Sequence, residues 1–149
     1  MAEQQQDAFA WFHGYVGTCV AEHDVDRRMP PVDPDGDYVV TWGGSPLYVT
    51  AVDAAVRTAR VWAVAASGLQ SRVALLREIN DLNLEMPLVT VVLSRWGSVL
   101  VSSFLVAEAV NPAAMAHAVD AVGSCAEHVG VLLAGVHGGQ DAFATTRSA

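Results

Sequence analysis

The sequence predicts an α+β fold: an antiparallel sheet of about five strands with helices packed against it, in the order α-β-β-β-α-β-β-α. Three observations predict it. Apolar residues recur at three- and four-residue steps in three separate stretches, near the start, the middle and the end of the chain. Between these stand five short runs rich in Val, Thr and aromatic residues, bounded by Gly, Pro and Asp. The length of 149 residues suits one domain, which at this size buries roughly 70% of the surface its unfolded chain exposes.

Ala8, Trp11, Phe12, Tyr15, Val16, Cys19 and Val20 share one helical face, so the chain opens with an amphipathic helix. Arg27 to Asp37, RRMPPVDPDGD, holds three prolines and a glycine. It cannot continue that helix, because proline lacks the N–H a helix interior uses. Tyr38 to Trp42 and Leu47 to Val52 read as a hairpin around the turn chemistry of Gly43, Gly44, Ser45 and Pro46. A third strand is expected over Val56 to Ala66, with Thr58, Arg60, Trp62 and Val64 on one face and Arg57, Ala59, Val61 and Ala63 on the other. Leu69, Val73, Leu76 and Ile79 return to helical spacing, and this second helix ends near Asn83, ahead of Pro87. Leu88 to Arg95 and Val99 to Val106 form a second hairpin about Trp96, Gly97 and Ser98. Asn111 and Pro112 supply an N-cap and a first-turn proline. The long third helix they open carries a stripe of Met115, Val119, Val122, Cys125, Ala126, Val129, Leu132 and Leu133 as far as Gly138. The reading is one domain over residues 1–139 and a loose polar tail over residues 140–149.

Composition narrows the function classes. The apolar fraction is 52% and the mean hydropathy +0.32, an apolar surplus that points to a partner. No uninterrupted apolar run approaches the ~20 residues of a membrane span, and the opening MAEQQQD lacks the basic and apolar segments of a secretory signal. A cytoplasmic protein with no membrane association is expected. Eight arginines, scattered, and sixteen acids give a net charge of −8. Nucleic acid is therefore excluded as a partner, since its binding needs a concentrated basic footprint. Cys19 and Cys125 fall on apolar helix stripes and read as reduced, buried thiols.

Several constellations invite a chemical reading. On the third helix stand His117, Asp120, Ser124, Glu127 and His128, and Ser124 and His128 are four apart, near enough to touch. A small hydrolase using Ser124, His128 and Asp120 is the alternative function. It meets an obstacle: acyl transfer needs free N–H donors aimed at the developing oxyanion, and mid-helix N–H groups are engaged in the backbone ladder. A solvated helix face is the expected role of these residues, and no catalytic residue, metal site or cofactor is assigned. Asp33, Asp35 and Asp37 alternate like a calcium loop, but Tyr38 and Gly44 stand where glycine and glutamate belong; a turn is expected. Asn83 reads as a left-handed helix C-cap and Asn80 as a residue that bonds to neighbouring backbone. Trp42, Arg60 and Trp62 exceed what a solvated sheet face shows, and aromatic residues with arginine are enriched where proteins bind one another. These three are the candidate peptide- or protein-binding residues.

The segment Asp37 to Gly139 contains DYVVTWGGSPLYVTAVDA, the helix ending LLREINDLNLEMP, the hairpin WGSVLVSSFLV and the closing HGG. With the order of elements, these motifs resemble the YbjN family and the CesT-like type III secretion chaperone fold it shares. The resemblance implies a homodimer that presents apolar grooves and strand edges to extended peptide clients, in a chaperone-like role or as a regulator of sensory transduction.

Overall fold

The computed structural model describes residues 2–144. Helix α1 (Ala2–Ala21) leads into strands β1 (Tyr38–Trp42), β2 (Ser45–Val52) and β3 (Thr58–Ser67), then helix α2 (Val73–Glu85). Strands β4 (Thr90–Leu93) and β5 (Val99–Val106), helix α3 (Pro112–His137) and a two-residue strand β6 (Gln140–Asp141) complete the chain. All pairings are antiparallel, and the sheet order is β1-β2-β3-β5-β4, with β6 on β3. The expected α+β order is present, with a sixth short strand added.

Local chemistry sets each boundary. Gly43 and Gly44 both have positive φ (56° and 85°), the two-residue turn that matches strand twist, so β2 begins at Ser45 directly opposite Trp42. The Asp33 carboxylate accepts the N–H groups of Asp35 and Asp37, both at 2.9 Å, making the Arg27–Asp37 segment a set of turns, as its residues predict. Asn111 caps α3 by accepting the Ala114 N–H at 2.9 Å. Gly138 closes the helix in the left-handed region. The second helix starts later than its spacing suggests, at Val73: the Leu69 N–H instead donates to the Gly97 carbonyl in the β4–β5 turn.

The core lies between one sheet face and the helices. Ala59, Val61, Ala63 and Ala65 of β3, Leu47 and Val49 of β2, and Val99 and Val101 of β5 point into it. They meet Met115, Val119, Val122, Ala126, Val129 and Leu133 of α3. By length and composition α3 could cross a membrane, but this stripe packs on β3 and β5. Glycines let α3 lie close: a Cβ at Gly130 would sit 2.5 Å from the Ala65 carbonyl oxygen, and one at Gly123 would enter the Trp42 ring. Helix α1 packs beside α3, where Gly17 admits the Tyr38 ring and the Tyr38 hydroxyl donates to the His13 carbonyl at 3.0 Å.

Two expectations change. Residues 140–144 are docked, not loose: Gln140 and Asp141 pair with Ser67 and Ala66, and Phe143 is only 1% exposed. The physical reason is the gap beyond the end of β2, which β6 fills, and the Trp42 ring, which receives Phe143 edge-on at 6.5 Å. Residues 145–149 lie outside the described residues. Asn83 is not a C-cap. Its side chain takes the Val91 N–H (2.7 Å) and donates to the Val91 carbonyl (2.9 Å), doing for edge strand β4 what a neighbouring strand would do. Of the two thiols, Cys19 is buried and Cys125 half-buried, and burial raises both above the ordinary thiol range.

Candidate functional site

Among the described residues no helix covers the other face of the sheet. Strand register sets two rows across it. One runs Thr50, Arg60, Phe104; the next runs Tyr48, Trp62, Ser102, Thr90. Tyr48, Arg60 and Trp62 here are large and half-open and Phe104 is exposed, while Ser102 beneath them is buried; the helix-facing side of β3 is small and closed. Tyr48 stacks on Trp62 with ring centroids 4.5 Å apart, and the Trp62 indole N–H donates to the Thr50 hydroxyl at 3.0 Å. With its polar edge satisfied, the stacked indole presents apolar surface to the open face.

Arg60 joins the two rows. Its guanidinium carbon is 5.5 Å from the Trp62 ring centre and 5.6 Å from that of Phe104, within cation–π range of both. Phe104 is 55% exposed. The Arg60 Nε is buried without a hydrogen-bond partner. Burial lowers the Arg60 pKa, and the nearby Asp37 carboxylate works against that shift; the group stays a cation. Asp37 is itself buried, one residue ahead of β1.

The strand edges beside this face differ. At β1, the Val39 N–H donates to the Pro31 carbonyl and Val32 bridges Tyr38. At β4, Asn83 occupies Val91. Strand β5 runs on past β4, whose pairing stops at Thr90 opposite Ser102. Among the described residues no strand pairs Phe104 or Val106 on the side away from β3.

The three residues singled out from sequence do not come together. Arg60 and Trp62 share the open face, but Trp42 lies on the opposite one, against Gly123 and Phe143 under α3. Its partner Ser45 and the alternation through Leu47 and Val49 put it there. Sequence reasoning missed Tyr48, Thr50 and Phe104. Period-two alternation marks Tyr48 and Thr50 as neighbours on one face of β2, but nothing local says that Phe104 pairs with Arg60, 44 residues earlier in the chain.

The α3 set is dispersed over the helix exterior. His117, Asp120, Ser124 and His128 are exposed, and no hydrogen bond joins Ser124 to His128. Asp120 stands 3.8 Å from His23 at the end of α1, and lies about 12 Å along the helix from His128. Ser124, Glu127, His128 and Val131 line a depression of about 360 Å³ in which the helix backbone has no free donor to offer. Elsewhere on α3, His137 bonds Glu78 of α2 at 2.6 Å, a link its sequence position did not suggest.

The profile of the family described as TY-Chap1, T3SS (YopN, CesT) and YbjN peptide-binding chaperone 1, matches residues 10–145. Among solved structures, a chain of the crystallised ExsC–ExsE complex superposes with a TM-score of 0.61 at 11% identity, over 79% of this chain and 90% of that one. At that identity the likeness speaks for the fold. No curated protein matches. The open face with its aromatic and guanidinium cluster sits on that fold, and over nearly its whole length the chain belongs to the T3SS and YbjN peptide-binding chaperone family.

Proposed function

We propose that this protein is a non-catalytic, homodimeric chaperone or regulator of the cytoplasm that holds an extended polypeptide segment across the open sheet face around Trp62. The observation that carries this reading is the half-exposed Tyr48–Trp62–Arg60–Phe104 cluster on a face that no helix of the described residues covers. Aromatic rings held rigid by stacking give apolar contact at little entropic cost, and arginine on aromatic rings adds polar selectivity. The unpaired edge of β5 beside Phe104 offers main-chain groups to a strand laid alongside. Dimerisation is assigned to α2, whose outer surface exposes Val73, Leu76 and Leu84, an apolar area a monomer would leave wet. Unpaired Cys19 and Cys125 suit a reducing compartment.

The test starts with affinity capture to identify a bound polypeptide, followed by titration of the responsible segment against wild type and Trp62→Ala, with folding checked by circular dichroism. Truncating a central anchor is expected to weaken binding by about 2 kcal/mol, roughly thirtyfold. Equal affinities in two folded proteins would return Trp62 to a structural role. Light scattering at low micromolar concentration is expected to give twice the chain mass of 15.7 kDa. A single-chain mass would remove the dimer.

A further inference from the structure

Arg60 carries an unanswered charge. It stands on the central strand, its guanidinium within cation–π range of Trp62 and Phe104, yet among the described residues no acceptor meets it and its Nε is buried without a partner. Three exposed or half-buried arginines are answered by acids: Arg57 by Asp53 at 3.0 Å, Arg28 by Asp26 at 2.7 Å, Arg27 by Glu22 at 3.7 Å. A buried N–H without an acceptor is costly. Asp37, the one acid placed to influence Arg60, shapes its charge through space but forms no ion pair with it.

Resting on the reading of this face as a peptide-binding surface, we propose that Arg60 receives the carboxylate of an Asp or Glu side chain in the bound segment. The geometry states where that residue lies. A strand laid along the unpaired edge of β5 sits about 4.8 Å from it, and its residue opposite Phe104 continues the row Thr50, Arg60, Phe104. Arg60 already leans over the Phe104 ring, toward that position. A guanidinium offers a planar fork of donors that a carboxylate matches with two parallel bonds. The residue two positions from the acid that falls beside Val106 is apolar; in the other direction the place beside Ser102 is held by Thr90 of β4, so the bound strand leaves the edge there. The net charge of −8 does not forbid this, since exposed charges more than about 8 Å away are largely screened at physiological salt.

The experiment is a selection of random dodecapeptides, displayed through a C-terminal fusion so that side chains supply the only free carboxylates, on wild type and on Arg60→Gln in physiological salt. Wild type is expected to enrich Asp or Glu with an apolar residue at the second position on one side; Arg60→Gln is expected to lose the acid and keep the apolar residue. One enriched peptide, acetylated and amidated, is then titrated beside its Glu→Gln or Asp→Asn counterpart. The acidic form binds wild type about tenfold tighter, binds Arg60→Gln no better than the amide form, and regains part of its advantage on Arg60→Lys, which has charge without the fork. An acidic preference absent from wild type, or undiminished in Arg60→Gln, overturns the inference while leaving peptide binding intact. No enrichment on either protein overturns the peptide-binding reading of the face and the inference with it.

Discussion

Strand β3 presents two surfaces of opposite design. Toward the helices it shows Ala59, Val61, Ala63 and Ala65, all fully buried; away from them it shows Thr58, Arg60, Trp62 and Val64, all half-open. Small residues on the inner side bring α3 close enough for Gly130 to touch the β3 backbone. A large aromatic and an arginine on the outer side have no such helix to meet. Alternation along a single strand therefore divides labour: one face holds the fold together, and the other is free to contact something else without disturbing it. The contrast sets the scale of the following effects.

The inner face should be the least forgiving. At Gly130, added side-chain atoms meet the Ala65 carbonyl and the Asp141 carboxylate, and a backbone carbonyl in a central strand cannot move aside. Gly130→Val is expected to cost about 3 kcal/mol, lowering the melting temperature by roughly 10 °C for a domain of this size. Urea unfolding measures it. A loss below 1 kcal/mol would mean that α3 can lift from the sheet and that the close packing is dispensable.

The sheet edge comes next. Asn83→Ala removes both bonds to Val91 and leaves two backbone groups of an edge strand without partners. The expected cost is about 2 kcal/mol, with increased self-association as β4 becomes available for pairing. Asn83→Asp keeps an acceptor for the Val91 N–H but sets a carboxylate against the Val91 carbonyl, so it should not rescue. Rescue to wild-type stability by Asp would show that only the N–H matters.

The open face should tolerate truncation. Trp62→Ala loses the Tyr48 stack and the Thr50 hydrogen bond on a surface already wet, for an expected cost of about 1 kcal/mol, against the thirtyfold loss expected in binding. A stability cost as large as that of Gly130→Val would make Trp62 a core residue and erase the distinction between the faces.

The same contrast explains what was legible in the sequence. Strands β1 and β5 were readable to the residue, because Gly43-Gly44 and Trp96-Gly97-Ser98 announce their turns and the strand residues are β-branched or aromatic. The inner and outer sides of β3 were also readable, since alternation needs only the strand itself. The placement of Trp42 was not: one residue more or less in a turn reverses which face a strand shows its neighbour, and the stretch from Gly43 to Pro46 admits more than one turn length. Phe143 was lost because a lone aromatic among polar residues has no periodicity, although it is the one bulky apolar side chain between Gly138 and the end of the chain. Asn83 was read as a helix C-cap because its true partner, Val91, belongs to another element. Pairings between distant segments, Arg60 with Phe104 above all, define the candidate site, and no local pattern encodes them.

The smallest effects are expected on the outer side of α3, where Ser124, His128 and His117 face solvent. Alanine replaces each without opening a cavity or stranding a buried group, and in a helix interior it is the better helix former by several tenths of a kcal/mol. Each single variant should stay within 0.5 kcal/mol of wild type, with any shift toward stabilisation, and none should alter polypeptide binding at the open face. Thermal melts and the peptide titrations check both halves of this. The stronger challenge is chemical. A serine and a histidine four apart on a helix satisfy the sequence requirement for a nucleophile and a base, so hydrolysis of p-nitrophenyl acetate should be followed for wild type and Ser124→Ala. Equal rates agree with a helix whose N–H groups are all engaged in its own ladder and cannot stabilise an oxyanion. Turnover that vanishes in Ser124→Ala while the melt is unchanged would place chemistry on α3, and the division between a structural and a binding face would then describe only the sheet.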